Sequence, residues 1–461
     1  MGNAACSHSQ SAKVPFMSSP FALRRAEFFA RLPAGAAAIL GGAPEAKRNG
    51  DNHYRFRQPA DLYFLTGFAE PEAMAVFTPG TPAPYTLFLR PRDPHRETWY
   101  GRRAGLEGGK THFEADRTFV IAEAEARLFE LLNGCTEVHL LIGDNPALDE
   151  MVSRVIARLR KNERNGSRAP RRIVDLTQTL HELRLIKDQD ALTRMRRAAE
   201  ITVEAHALAM RACHAGVYEY QLEALIDYIF RRNNGVPGYG SIIGGGRNAT
   251  ILHYVDNSDA LRAGEVLLVD AGCEWHGFTA DITRCYPIPQ PGQPARFTTA
   301  QRALYDVVLA AQLQGIAAAV PGSTVENIHD TCSRALTSGL VQLGLLQGDV
   351  DELVAAGAHK RYYLHRTSHF LGMDVHDVGS YFPAPDFAPR ILRPEMVLTV
   401  EPGLYISDSD TSVPPEYRGI GIRIEDDIRI TTEGHEVLTA ALPKEAVAVE
   451  KLVGTGATLT L

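Results

Sequence analysis

The 461-residue sequence predicts an α/β (α+β) protein of two domains. Three observations carry that prediction. The length exceeds a typical single domain, so two units of unequal size are the default. Short apolar runs alternate with amphipathic helical stretches from residue 20 to about 178. Beyond that point the order changes to paired helices followed by groups of strands. The boundary is expected between Asp175 and Asp188, with domains over residues 20–180 and 181–461.

The elements follow in order. An amphipathic helix is predicted over Phe21 to Leu32, then the strand AAAILGGA. After DLYFLTGF come the strands AMAVFTPG and YTLFLRPR and a helix around Ala122 to Leu132. The strand VHLLIGD precedes a long basic helix, Pro146 to Lys161. KNERNGSRAPRR is polar, with Gly and Pro, and reads as a loop because ordered periodicity resumes at once. The second domain opens with helices over Asp190 to Ala215 and Tyr220 to Arg231. A Gly-rich stretch, GVPGYGSIIGGGRNA, reads as a loop rather than a dinucleotide fingerprint. Strands then dominate, interrupted by helices over Thr299 to Ala319 and Val325 to Leu345. Both halves of this domain run helix, helix, strand pair, which hints at a duplicated unit.

Composition narrows the function classes. Hydrophobic content of 45% and charged content of 22% are those of an ordinary globular enzyme. A net charge of −7 argues against nucleic-acid binding. No apolar run is long enough for a membrane helix. Six scattered cysteines without a CxxC favour free thiols and a cytoplasmic location. Residues 1–19 show no hydrophobic periodicity and are expected to be a disordered leader. MGNAACS brushes a myristoylation pattern, but Cys6 stands where Ser or Thr is required.

The chemistry concentrates in the second half. Asp270, Asp281, His369, Glu401 and Glu425 form an oxygen-rich donor set. Such a set suits two hard or borderline divalent cations sharing bridging carboxylates, an arrangement that ionises water for hydrolysis. VLLVDAGCEWHGFTADITRCYPI reads as strand, turn, strand. Folding it about Trp275–His276 makes Asp270 and Asp281 direct cross-strand neighbours, with Cβ atoms about 4.5–5.5 Å apart. Like charges so placed repel, and a cation relieves them; the alternative is a solvated pair on an edge hairpin. In GIGIRIEDDI, Ile420, Ile422 and Ile424 share one face by the period-two rule, and Arg423 and Glu425 share the other. Arg423 is thus placed to hold a carboxylate beside the metals. His365, His369 and His376 fall within twelve residues, and His253 follows the Gly-rich loop. Arg366 occupies the position where an HExxH zinc helix requires Glu, so that motif is disfavoured.

These segments resemble the pita-bread metallopeptidases, the superfamily of methionine aminopeptidase, prolidase and aminopeptidase P. VLTVEPGLY, GIRIEDDI and the order Asp, Asp, His, Glu, Glu carry the likeness. DLYFLTGFAEPEA, ETWYGRRAG, DVHDVG and VPPEYRGIGIRIEDDI resemble the bacterial aminopeptidase P branch, from about residue 20 to the end. The resemblance implies a mixed α/β N-terminal domain before a pita-bread catalytic domain. It implies metal-dependent release of the N-terminal residue from peptides with proline second. Asp270 would chelate one metal, Asp281 and Glu425 would bridge, and His369 and Glu401 would complete the other. The expected cofactors are two divalent ions, Mn2+ first, with Co2+ or Zn2+ as alternatives. Glu401, His376, His253 and His365 would be catalytic, with Glu401 shuttling a proton and His376 near the scissile carbonyl oxygen. Tyr239, Tyr381 and Arg423 match supporting positions. Trp99 matches a residue that reaches a neighbour's active site, implying a dimer or tetramer. One departure is Arg366, where the family commonly has Gly, which implies a changed loop or proline-side subsite. A prolidase and a noncatalytic pita-bread binding module are the alternatives.

Overall fold

The computed structural model describes residues 19–456, so the expected leader lies outside it except for Ser19. Ser19 caps the first helix by accepting a hydrogen bond from the Ala22 amide. The chain divides into two compact units, the first ending at Leu180 and the second beginning at His181.

The first unit contains α1 (Pro20–Arg31), β1 (Ala36–Gly41), α2 (Ala60–Thr66), β2 (Met74–Phe77), β3 (Tyr85–Leu89), α3 (Pro94–Tyr100), α4 (Gly105–Thr111), β4 (Arg117–Val120), α5 (Ala124–Leu132), β5 (Glu137–Leu140), α6 (Pro146–Lys161) and β6 (Arg172–Asp175). Six strands form one mixed sheet in the order β4-β3-β2-β1-β5-β6. The central strands are buried along almost their whole length because both faces are covered. Ala37, Ile39, Val76 and Phe88 pack against Leu128, Val152 and Val155 of α5 and α6. DLYFLTGF is helix α2, stopped by Gly67 in the left-handed conformation at φ 66°. Helix α6 matches its expected span, with Asn145 as cap, Pro146 in its first turn and Arg158, Arg160 and Lys161 in its last.

Helix α7 (Thr177–Leu185) spans the division. The second unit continues with α8 (Gln189–Ala212), α9 (Glu219–Arg232), β7 (Ile242–Gly245), β8 (Val266–Asp270), β9 (Cys273–Trp275), β10 (Phe278–Thr279), β11 (Thr283–Pro287), α10 (Thr299–Ala318), α11 (Val325–Gln342), α12 (Val350–Ala355), β12 (Val397–Val400), β13 (Gly403–Ile406), β14 (Ile420–Arg423), β15 (Asp426–Ile430), β16 (His435–Val437) and α13 (Ala446–Leu452). Its strands pair antiparallel in small sheets: β7-β8-β11, β12-β15-β16 and β13-β14. Ile420, Ile422 and Ile424 enter one apolar cluster with Leu304, Val308 and Leu404, as the period-two reading expects.

The central hairpin corrects the expected register. Asp270 pairs with Thr283, and Trp275 pairs with Phe278, so Asp281 is displaced by two residues from Asp270. The turn is His276–Gly277, both residues at positive φ (49° and 81°), as tight two-residue hairpin turns require. Gly272 fits this register because a Cβ there would lie 1.8 Å from the Ala280 carbonyl oxygen. A two-residue shift keeps both aspartates on one face, as diagonal rather than direct neighbours.

Behind this face, Arg284 is fully buried and pairs with Asp426 at 2.7 Å. It also donates to the backbone oxygens of Glu425 and Leu442. Burial would raise the Asp426 carboxyl, but the Arg284 and Lys444 charges hold it below its ordinary value. Unfolded Asp426 therefore takes its proton first. The pair's contribution is complete above pH ~4 and is lost as pH falls through the folded value. Arg284→Met should destabilise the protein by about 3 kcal/mol at pH 7, by leaving the buried Asp426 carboxylate with Lys444 alone among its described charged partners. Urea unfolding should show that gap narrowing toward pH 3; a gap constant with pH contradicts the assignment.

Candidate metal and peptidase site

The ends of four strands and two loops of the second unit converge on one cleft of about 840 Å³. Asp270 ends β8, and Asp281 lies just before β11. Glu401 follows β12, and Glu425 lies between β14 and β15. His369 comes from the loop before β12 and is tied to Thr399 of that strand, whose amide donates to the His369 carbonyl at 2.9 Å. All five line the cleft, together with Tyr239, His253, His365, His376, Tyr381 and Arg423.

The donor atoms are close. One ligand atom each from Asp281, His369 and Glu425 lies within 4.8 Å of the others. His369 Nε2 is 3.4 Å from Asp281 and 3.5 Å from Glu401. The Tyr239 hydroxyl approaches Asp270 at 2.6 Å and Asp281 at 2.5 Å, joining the diagonal pair. Arg423 donates to Asp270 and Thr283 donates to Glu425, so the carboxylates are oriented from outside.

The electrostatics describe a site with surplus negative charge. Burial and then the neighbouring carboxylates push Glu425 far above the ordinary range. Burial and Asp270 raise Asp281. Burial likewise lifts Glu401 to about 8, against the pull of His369 and Arg423. For His369, burial opposes the charged form, but Asp281 and Glu401 outweigh it and raise the imidazole to about 9. The carboxylate shifts record burial and the confinement of like charges away from water, and the His369 shift records the pull of the opposite charges around it. Divalent cations fit this donor set in both chemistry and sign.

The histidines differ in environment. His365 Nδ1 faces the Arg366 carbonyl at 2.8 Å, and a carbonyl only accepts, so Nδ1 carries the proton. Its Nε2 then accepts from the Tyr405 hydroxyl, whose oxygen accepts from Arg423. Burial and the Arg423 charge hold His365 down to about 3, consistent with a neutral ring. His376 opens onto the cleft, its ring edge-to-face with His369 at 4.4 Å. Burial, His369 and His253 together lower its pKa. Tyr381 stacks on Phe370, and its hydroxyl oxygen accepts from the Phe370 amide at 3.0 Å. Arg366 forms an ion pair with Glu326, and both line the cleft. Trp99 is the exception among the expected residues: it lies on α3 of the first unit and is 74% exposed.

Several contributors escaped the sequence reading. Tyr405 links Arg423 to His365. Asp427 accepts from the Asp281 amide at 3.1 Å. Thr283 contacts both Glu425 and Arg423. The available signal for Tyr405 is a hydroxyl within the otherwise apolar strand GLYI, which demands a partner when buried; Thr283 and Asp427 sit in mixed strands that carry no such signal.

Comparison with known proteins agrees with this architecture. The model of metallopeptidase family M24 matches residues 193–432, and that of the aminopeptidase P N-terminal domain matches residues 21–140. The Xaa-Pro aminopeptidase of Escherichia coli strain K12 is 42% identical over 436 residues, covering 94% of this chain and 97% of that protein. The structure of Pseudomonas aeruginosa aminopeptidase PepP superposes with a TM-score of 0.90 at 43% identity, covering 94% of this chain and 97% of that one. Escherichia coli aminopeptidase P has been solved as a variant in complex with substrate and as a zinc-substituted form in complex with product. Both give a TM-score of 0.89 at 42% identity, with 94% of this chain and 97% of the other covered. With both domains matched in order and nearly the whole length aligned, the chain belongs to metallopeptidase family M24, in its aminopeptidase P branch.

Proposed function

We propose that the cleft releases the N-terminal residue from peptides whose second residue is proline, as a metal-dependent hydrolase. The observation that carries this is the full-length match to an Xaa-Pro aminopeptidase in a chain whose five metal-type donors meet in one cleft. Two divalent ions are the cofactors we infer, Mn2+ first, with Co2+ or Zn2+ as alternatives. Asp270 would hold one ion, Asp281 and Glu425 both, and His369 and Glu401 the other. When bound, such ions polarise a carbonyl and lower the pKa of a water molecule.

The chain's own residues supply the rest. Glu401 would take the proton from the attacking water and return it to the leaving nitrogen. His376 faces the cleft and would donate to the carbonyl oxygen as charge develops there. His365, held neutral by Tyr405 and the Arg366 carbonyl, would line the substrate path with His253. Ile242, Leu252, Val255 and Phe382 give the cleft apolar wall suited to a pyrrolidine ring. Proline has no N–H and a fixed φ, so a site built without a partner for that N–H can select it.

The prolidase reading shares the metals but needs a dipeptide's free carboxylate. Initial rates on Ala-Pro-Ala and Ala-Pro separate the two. The tripeptide should be cut and the dipeptide left almost untouched; faster cleavage of Ala-Pro would replace this reading with the prolidase one. A noncatalytic binding module would release alanine from neither.

Trp99 supports a further part of the proposal. It is not buried in its own domain, so its indole has no core role there. An exposed Trp of this size fits an interface anchor. We infer a homo-oligomer, dimer or tetramer, in which Trp99 reaches a partner's cleft. Trp99→Ala should then weaken cleavage of longer peptides several-fold without loss of metal or stability. Light scattering should show the oligomer. A monomer fully active at nanomolar dilution would contradict the shared site. No described helix is long and apolar enough to cross a membrane, and the described cysteines are free thiols. We propose a cytoplasmic location, where thiols such as those of the described cysteines stay reduced.

A further inference from the structure

The ring of His376 has no hydrogen bond to protein among the described residues; its close contact is with the His369 ring. Its place must come from the backbone that carries it. That loop turns sharply after Phe370. The Gly372 amide donates to Asp374 O at 3.2 Å, and the Asp377 amide donates back to Phe370 O at 2.8 Å.

The loop is closed over one carboxylate. Asp377 follows His376 directly, and its Oδ2 accepts from Lys187 Nζ at 2.7 Å. Its Oδ1 accepts from Arg184 at 2.6 Å and from the Asp374 amide at 3.4 Å. Lys187 also donates to the Arg184 carbonyl at 2.9 Å. The side chains of Asp377, Lys187 and Arg184 are 1%, 1% and 2% exposed. Burial would raise the Asp377 carboxyl, yet the Lys187 and Arg184 charges hold it below its ordinary value. The packing leaves no slack: a Cβ on Gly372 would lie 2.1 Å from Asp377 Oδ2 and 2.8 Å from Lys187 Nζ.

Three buried charges beside the donor set are not explained by stability, since a well-packed apolar cluster does as well. What such a cluster does provide is a single permitted arrangement. Here the arrangement it fixes is the peptide next to His376. We propose that Asp377, clamped by Lys187 and Arg184, is a positioning residue that aims His376 at the reacting carbonyl. This rests on the role given to His376 above.

The test is a double-mutant cycle in the metal-loaded enzyme on Ala-Pro-Ala. Asp377→Asn keeps the shape and removes the charge. Its kcat should fall on the order of tenfold to a hundredfold, with KM and metal content within about twofold. In a His376→Ala background the same substitution should change kcat by less than about twofold, because the group it positions is gone. Equal losses in both backgrounds, which a merely structural role produces, overturn the proposal. So does a wild-type kcat in Asp377→Asn. If that variant does not fold, Lys187→Arg keeps the charge but displaces the contact, and the same expectations apply. His376→Ala alone keeps the two readings apart. A normal kcat there overturns both; a reduced kcat without coupling overturns only the positioning role.

Discussion

Replacing Asp281 or Glu425 with alanine should lower turnover by orders of magnitude and leave the fold intact. Both residues offer an atom to the tightest donor cluster, with His369 as the third member. Losing either removes a carboxylate that two cations would share, and with it their spacing. The fold should survive for an electrostatic reason. Glu425 and Asp281 are raised by burial and by neighbouring carboxylates. A carboxyl raised in the folded state costs stability as pH climbs above its unfolded value. Truncating one therefore relieves repulsion in the metal-free protein. Stability should be lost only in the metal-loaded form, through weaker binding. Elemental analysis and thermal melts with and without metal check this. Two tightly held ions per chain in either variant would refute the bridging assignment.

His376→Ala should produce the second largest effect, and of a different kind. The ring lies beside His369 but not within the donor cluster, and it opens to the cleft. Its removal should lower kcat by roughly a hundredfold, the usual cost of losing one donor to a developing oxyanion. Metal content should be retained. KM should change little, because the interaction strengthens only in the transition state. If metal is lost and turnover per bound metal stays normal, His376 is a ligand instead.

The parts legible in the sequence were those written locally. Helix α6 announces itself through Asn145, Pro146 and three basic residues at its end. The alternating isoleucines of β14 place Arg423 and Glu425 opposite the apolar cluster, and both line the cleft. Asp270, Asp281, His369, Glu401 and Glu425 could be chosen because each sits at the margin of an apolar strand or in a dense motif. Register was harder. A turn centred on Trp275–His276 sets Asp281 opposite Asp270, and nothing in the sequence marks His276 for the positive φ that shifts the turn by one residue. DLYFLTGF carries no decisive signal for helix α2, because its seven residues, ADLYFLT, fit a buried strand as well as a short helix. The Asp377 clamp was illegible for another reason. Lys187 and Arg184 lie about 190 residues away in sequence, and only the tertiary fold brings them together.

The most direct test of the account is metal titration of the metal-free protein, read by cleavage of Ala-Pro-Ala. Activity should be absent after chelation and should return as Mn2+ is added. It should reach its plateau at two ions per chain. Full cleavage by the chelated protein, or a plateau at one ion with no gain from a second, would contradict a shared two-ion centre built from Asp270, Asp281, His369, Glu401 and Glu425.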